Sequence, residues 1–110
     1  MMFFVIELDE EKIEKDGIVN LDAIYKCLEA TFVQEDVTLY RQDGTLRYYT
    51  RNIDDHDFEC LWMVNLPFKK ESWFGYYIKT WRFLDIDEVT GEIYEEEDLL
   101  EEWLDRPQSP

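Results

Sequence analysis

A chain of 110 residues that is 45% hydrophobic, with a net charge of −16, is long enough for one core and too short for two comfortable domains. That charge excludes nucleic acid and anionic membrane surfaces as direct partners, because both repel it, and points to a basic protein partner. The acids are unevenly placed: residues 1–36 hold ten against three bases, residues 37–84 six against seven, and residues 85–110 eleven against one.

In chain order, Met2-Phe-Phe-Val-Ile-Glu-Leu8 is a nearly continuous apolar run of strand-forming residues, which predicts a central strand buried on both faces. Met1 to Leu8 is too short for a signal sequence or a membrane span, so the chain is expected to be cytoplasmic. Asp9 to Lys15 carries the single apolar residue Ile13 before Asp16-Gly17, which leaves room for one helical turn at most. Asn20 then caps a helix over 21–34, whose inner side is Leu21, Ile24, Tyr25, Leu28 and Phe32 at helical spacing. Strands at 37–42 and 45–51 flank Asp43-Gly44 as a hairpin, with Leu39 and Leu46 as its apolar anchors.

Asp54-Asp-His-Asp57 reads as the cap of a helix starting near Phe58, with Phe58, Leu61, Trp62 and Val64 inward and Pro67 ending it; a strand over 58–64 competes. Residues 71–87 hold the densest aromatic material: Trp73, Phe74, Tyr76, Tyr77, Trp81 and Phe83. The remaining elements are expected to gather around them. Helix and strand periodicities both fit 73–84, and the preferred assignment is a helix over 70–77 running into a strand over 78–86. Thr90-Gly91 is a turn, Glu92–Tyr94 a short return strand, and Glu95–Leu104 a terminal helix with Leu99, Leu100, Trp103 and Leu104 on one side. Arg106-Pro-Gln-Ser-Pro110 is a frayed tail beyond a single domain over 1–105. Hairpins and three to four helices without a βαβ rhythm predict an α+β fold with an antiparallel or mixed sheet.

Chemistry-bearing motifs are sparse. Cys27 and Cys60 lack metal or redox spacing and are expected to be buried free thiols. Asp85-Ile-Asp87-Glu88-Val-Thr90-Gly91 misses the calcium-loop register by one residue, so a plain acidic turn is the reading. The adjacent Asp54, Asp55, His56 and Asp57 cannot all face one ion, and His56 has only Cys60 at i+4 as a group to activate. No catalytic residue, metal site or cofactor is predicted.

The remaining signal is the run from 85 to 105, with eleven acids and no base. On a helix from Glu95, the residues Glu95, Asp98, Glu102 and Asp105 would form a row of carboxylates roughly 5–6 Å apart. Such a row can occupy an arginine-lined groove meant for phosphates. Together with Asp85, Asp87, Glu88, Glu92 and Glu101, these acids are the predicted partner-binding surface.

Glu71-x-Trp73-Phe74, Lys79-Thr80-Trp81-x-Phe83, the acidic loop and Asp98-Leu99-Leu100-Glu101 together resemble a group of small acidic proteins carried by mobile elements of Gram-positive bacteria. These in turn resemble the anti-CRISPR inhibitors of type II effector nucleases, whose nucleic-acid channel is strongly basic. The resemblance implies a non-enzymatic inhibitor acting by nucleic-acid mimicry on such an effector. An immunity protein neutralising a cognate bacterial toxin nuclease is the alternative that the same charge allows.

Overall fold

The apolar run near the amino terminus forms the central strand of the sheet. The computed structural model describes residues 1–70 and 74–105, with side chains at all of these positions except 65–70, 74 and 103–105. β1 (Met2–Leu8) is flanked by β3 (Leu46–Thr50) and β4 (Ile78–Ile86), with β2 (Thr38–Asp43) and β5 (Ile93–Asp98) at the edges. All four neighbouring pairs are antiparallel. With α1 (Glu10–Asp16), α2 (Leu21–Gln34), α3 (Asp57–Lys70) and α4 (Leu99–Asp105), the chain is an α+β domain.

Strand alternation sorts β1 into two faces. Phe4, Ile6 and Leu8 point to the helices and join Ile13 of α1, Ile24, Leu28 and Phe32 of α2, Leu61 and Val64 of α3, and Leu99 of α4 in one core. Trp81, Phe83 and Ile78 of β4, Tyr49 of β3, Val37 and Tyr77 belong to it as well. Phe3 and Val5 point the other way and meet Leu84 in a second, smaller cluster, against which Met1, Leu46, Tyr48 and Ile86, none of them from a helix, are packed among the described residues. The aromatic stretch therefore contributes the largest fully buried side chain, Trp81, yet the middle of the sheet is β1. Burying each such side chain contributes about 1.5–3 kcal/mol.

The helix predicted over 21–34 and the strand over 78–86 have those same bounds in the structure. Asn20 caps α2 by accepting from the Ala23 N–H at 3.0 Å. Elsewhere local chemistry or packing overrode the sequence pattern. α1 has seven residues rather than one turn: the Asp9 carboxylate accepts from the Lys12 N–H at 3.2 Å, and Gly17, at φ 64°, closes it on the Ile13 carbonyl. Two good caps and the fully buried Ile13 offset the lack of an apolar stripe.

The hairpin turn is Gly44-Thr45, one residue later than expected, because Asp43 pairs with Leu46 and only Gly44 has positive φ. That arrangement has glycine at the first central position, as in type II′ turns. Leu39 is 45% exposed and is no anchor, since β2 is an edge strand with an irregularity between Leu39 and Arg41. Val37, Tyr49 and Thr50 are the buried residues of that region.

α3 continues through Pro67 to Lys70. Proline has no N–H to donate to the carbonyl four residues before it, which inside a helix costs about 3 kcal/mol, and this was the reason to expect an end there. Phe58 is half exposed rather than inward; its ring meets Phe83 edge-on and stacks on Trp62. In place of a helix over 70–77 there is a 3₁₀ turn at Phe74–Tyr77; the readings placed on 71–73 and on 106–110 lie outside the described residues. Cys27 is exposed and Cys60 half-buried. Cys27 sits about 100° round the helix from the centre of the Ile24, Leu28 and Phe32 side, at 100° per residue. Among the described residues, no helix is long and apolar enough to cross a membrane.

Candidate functional site

The acids of 85–105 lie on a turn, an edge strand and a short helix rather than on one long helix. β5 spans Ile93–Asp98 and α4 begins only at Leu99. The helical row of Glu95, Asp98, Glu102 and Asp105 is therefore not formed. Residues 95–98 pair with β4: Glu95 opposite Asp85, Glu96 opposite Leu84, Glu97 opposite Phe83 and Asp98 opposite Arg82. Alternation sends Glu95 and Glu97 to the helix-covered face and Glu96 and Asp98 to the open one.

Two physical reasons favour the strand. On a helix, four consecutive acids followed by Glu101 and Glu102 would stack like charges at i+3 and i+4. On the strand, Arg82 reaches two of them, Glu96 at 3.0 Å and Asp98 at 4.0 Å. Asp98 also starts α4, accepting from the Glu101 N–H at 3.0 Å. Asp98-Leu-Leu-Glu101 is thus the start signal of the helix, a capping pattern that the acid-run reading passed over.

Asp87 organises the turn between β4 and β5. Its carboxylate accepts from the N–H groups of Val89 (2.7 Å) and Thr90 (3.1 Å) and from the Tyr94 hydroxyl. These bonds, the Tyr94 hydroxyl first, hold its carboxyl below the usual value of 3.8. Its backbone N–H donates to Glu92 and its carbonyl accepts from Gly91, whose φ is 74°. Asp85 lies 3.7 Å from the amino-terminal ammonium. Directly opposite it, Glu95 is a like charge in a position where such pairs destabilise a sheet.

The predicted surface therefore divides. Asp85, Asp87 and Asp98 hold the structure together. Glu88, Glu92 and Glu95 are exposed on the turn and edge strand, and among the described residues their carboxylates make no hydrogen bond or ion pair. Glu101 and Glu102 are exposed in the first turn of α4, and Asp105 ends that helix. The sequence reading left out Glu96 and Glu97, and the role of Arg82 as the base facing the acidic strand. Ile93-Tyr94, two strand formers directly before the acids, were the available signal for β5.

The Asp54–Asp57 cluster serves an arginine. Arg51 donates to Asp54 and Asp57, each at 2.9 Å, and to the Glu35 carbonyl at 2.9 Å, tying the β3–α3 loop to the end of α2. Asp57 also accepts from the Ile53 N–H at 3.0 Å. The Arg51 bond, then the His56 N–H, draws the Asp54 carboxyl down. Exposed His56 pairs with Glu59 at 3.4 Å, and burial pushes the Cys60 thiol up, opposite to the direction an activated nucleophile needs. Among the described residues, no group of three or more His, Cys, Asp or Glu side chains could hold a metal ion. No protein-family model, curated protein or solved structure matches the chain.

Proposed function

We propose that this chain is a non-enzymatic acidic inhibitor of a basic nucleic-acid-handling protein, and that the partner to test first is a type II CRISPR effector nuclease. The observation that carries the reading is the edge formed by Glu88, Glu92 and Glu95: three exposed carboxylates in a row of elements whose facing base, Arg82, is already held by Glu96 and Asp98. Repulsion left standing in this way, with Glu95 across from Asp85, costs stability and is relieved by a partner's arginines and lysines. The resemblance to mobile-element proteins directs the choice of partner. The mimicry is carried by the β4–β5 turn and the edge strand that follows it, and not by a helical row.

The test is Glu88→Gln, Glu92→Gln and Glu95→Gln together, assayed for binding and inhibition of purified effector with and without its guide RNA. These side chains support nothing else in the fold, so the melting temperature should hold or rise. Binding should weaken by about 2–5 kcal/mol if the carboxylates meet arginine out of water, and parent binding should fall steeply with added salt. A variant that melts like the parent and inhibits as well as it does, or parent binding indifferent to salt, would overturn the proposal.

A further inference from the structure

The face of the sheet opposite the helices carries a cleft of about 530 Å³, within the range of sites that hold one inserted group. Its floor is Phe3, Tyr48 and Leu84, its walls are Tyr40 from the β2 edge and Ile93 from the β5 edge, and Asp87 and Glu88 stand at its rim. Tyr40 and Ile93 are 59% and 51% exposed, although both border apolar side chains. Tyr40 leans on Phe3 at 5.1 Å between ring centroids. Of the cations among the lining residues, Arg41 lies over the Tyr48 ring and is paired with Asp43 at 3.1 Å, and the Met1 ammonium lies 3.7 Å from Asp85.

An apolar floor beside two rim carboxylates, one of which, Glu88, makes no hydrogen bond or ion pair among the described residues, selects a composite group. We infer that this cleft takes an aromatic or long aliphatic side chain from the basic partner, flanked there by arginine or lysine that meets Glu88 and the β5 edge. The inference rests on the proposed acidic-inhibitor function and deepens it, by giving the charged contact an apolar anchor. Charge complementarity decides the occupant. A second copy of this chain would bring another −16 against the same rim, whereas a basic segment neutralises it while its apolar side chain leaves water.

The probe is a short peptide with one Trp between two Arg residues on each side, titrated into the labelled full chain and followed by amide shifts. Two control peptides replace the Trp by Gly or every Arg by Glu. The Trp peptide should shift the amides of Phe3, Tyr48, Leu84 and Ile93 saturably. The Gly control should bind roughly tenfold more weakly and shift only the acidic edge, and the Glu control should not bind. Tyr40→Ser with Ile93→Ser should lower Trp-peptide affinity roughly tenfold while leaving the Gly control unchanged. Ile18→Ser, on a side chain 80% exposed and not among those that line the cleft, should change neither.

Equal affinities for the Trp and Gly peptides, with shifts confined to 88–98, would overturn the cleft while the acidic-inhibitor reading survived. Absence of binding by either Arg peptide, with effector inhibition intact, would overturn it as well. Sedimentation at twice the chain mass, with the cleft amides shifting on dilution, would assign the face to a second copy and also overturn it. Loss of inhibition in the acidic-edge variant is a separate result that bears on the function alone.

Discussion

Helix α2 ends on an acid held in a backbone conformation that suits glycine. Asp36 has φ 57°; its N–H donates to the Val33 carbonyl at 3.1 Å, and the Val37 N–H donates to the Phe32 carbonyl at 2.9 Å. This is the Schellman closure, with buried Val37 and Phe32 supplying its apolar contact. The left-handed region costs an ordinary residue roughly 1–2 kcal/mol, and an aspartate falls toward the lower end. Glycine removes that cost but gives back about 0.5 kcal/mol through its freer unfolded chain. Losing a negative charge at a helix carboxyl end gains about 0.3–0.5 kcal/mol. Asp36→Gly should therefore stabilise the fold by about 1 kcal/mol, raising the melting temperature by about 4 °C for a domain of this size. Urea unfolding followed through tryptophan fluorescence measures it, since Trp81 is fully buried, and the slope with denaturant should stay constant. Asp36→Asn keeps the side-chain shape and removes only the charge. A Gly variant no more stable than the parent, or an Asn variant with the full gain, would refute the backbone argument.

Further outcomes follow from the same geometry. Leu28→Ala, at a site 1% exposed, should cost about 2–5 kcal/mol, while Cys27→Ser one position earlier should stay within about 0.5 kcal/mol; paired urea titrations check both. Asp98→Ala should remove the cap of α4 and cost about 1 kcal/mol, seen as faster amide exchange at Leu99–Glu101. Tyr25 titrates well above its ordinary 10.0, from burial first and then its bond to Glu10. The unfolded chain therefore loses that proton first, and stability should fall as pH rises above 10.0, less steeply in Tyr25→Phe. On the acid side Asp54 and Asp87 are both drawn below 3.8, so their contribution should be lost as pH falls below that value, as urea midpoints across the acid range would record.

The sequence by itself determined what local chemistry settles. The continuous apolar run of β1 required burial of both sets of side chains, hence a central position between two strands. Asn20 and the spacing of Ile24, Leu28 and Phe32 set α2 to the residue, and the alternation from Ile78 to Ile86 set β4. Each signal acts within one element, so no distant contact was needed to decode it. What tertiary structure decided was every stretch where two local patterns competed. Residues 95–98 could have been helix by composition; they became strand because β4 offers Arg82 across the ladder and because Asp98 is spent on capping α4. Asp54 and Asp57 had the composition of a ligand set until Arg51, brought by β3, claimed them. The acidic surface was legible as a count of charges, but its shape was not. Repulsion between like charges says that they separate, and only the partner strand says in which direction.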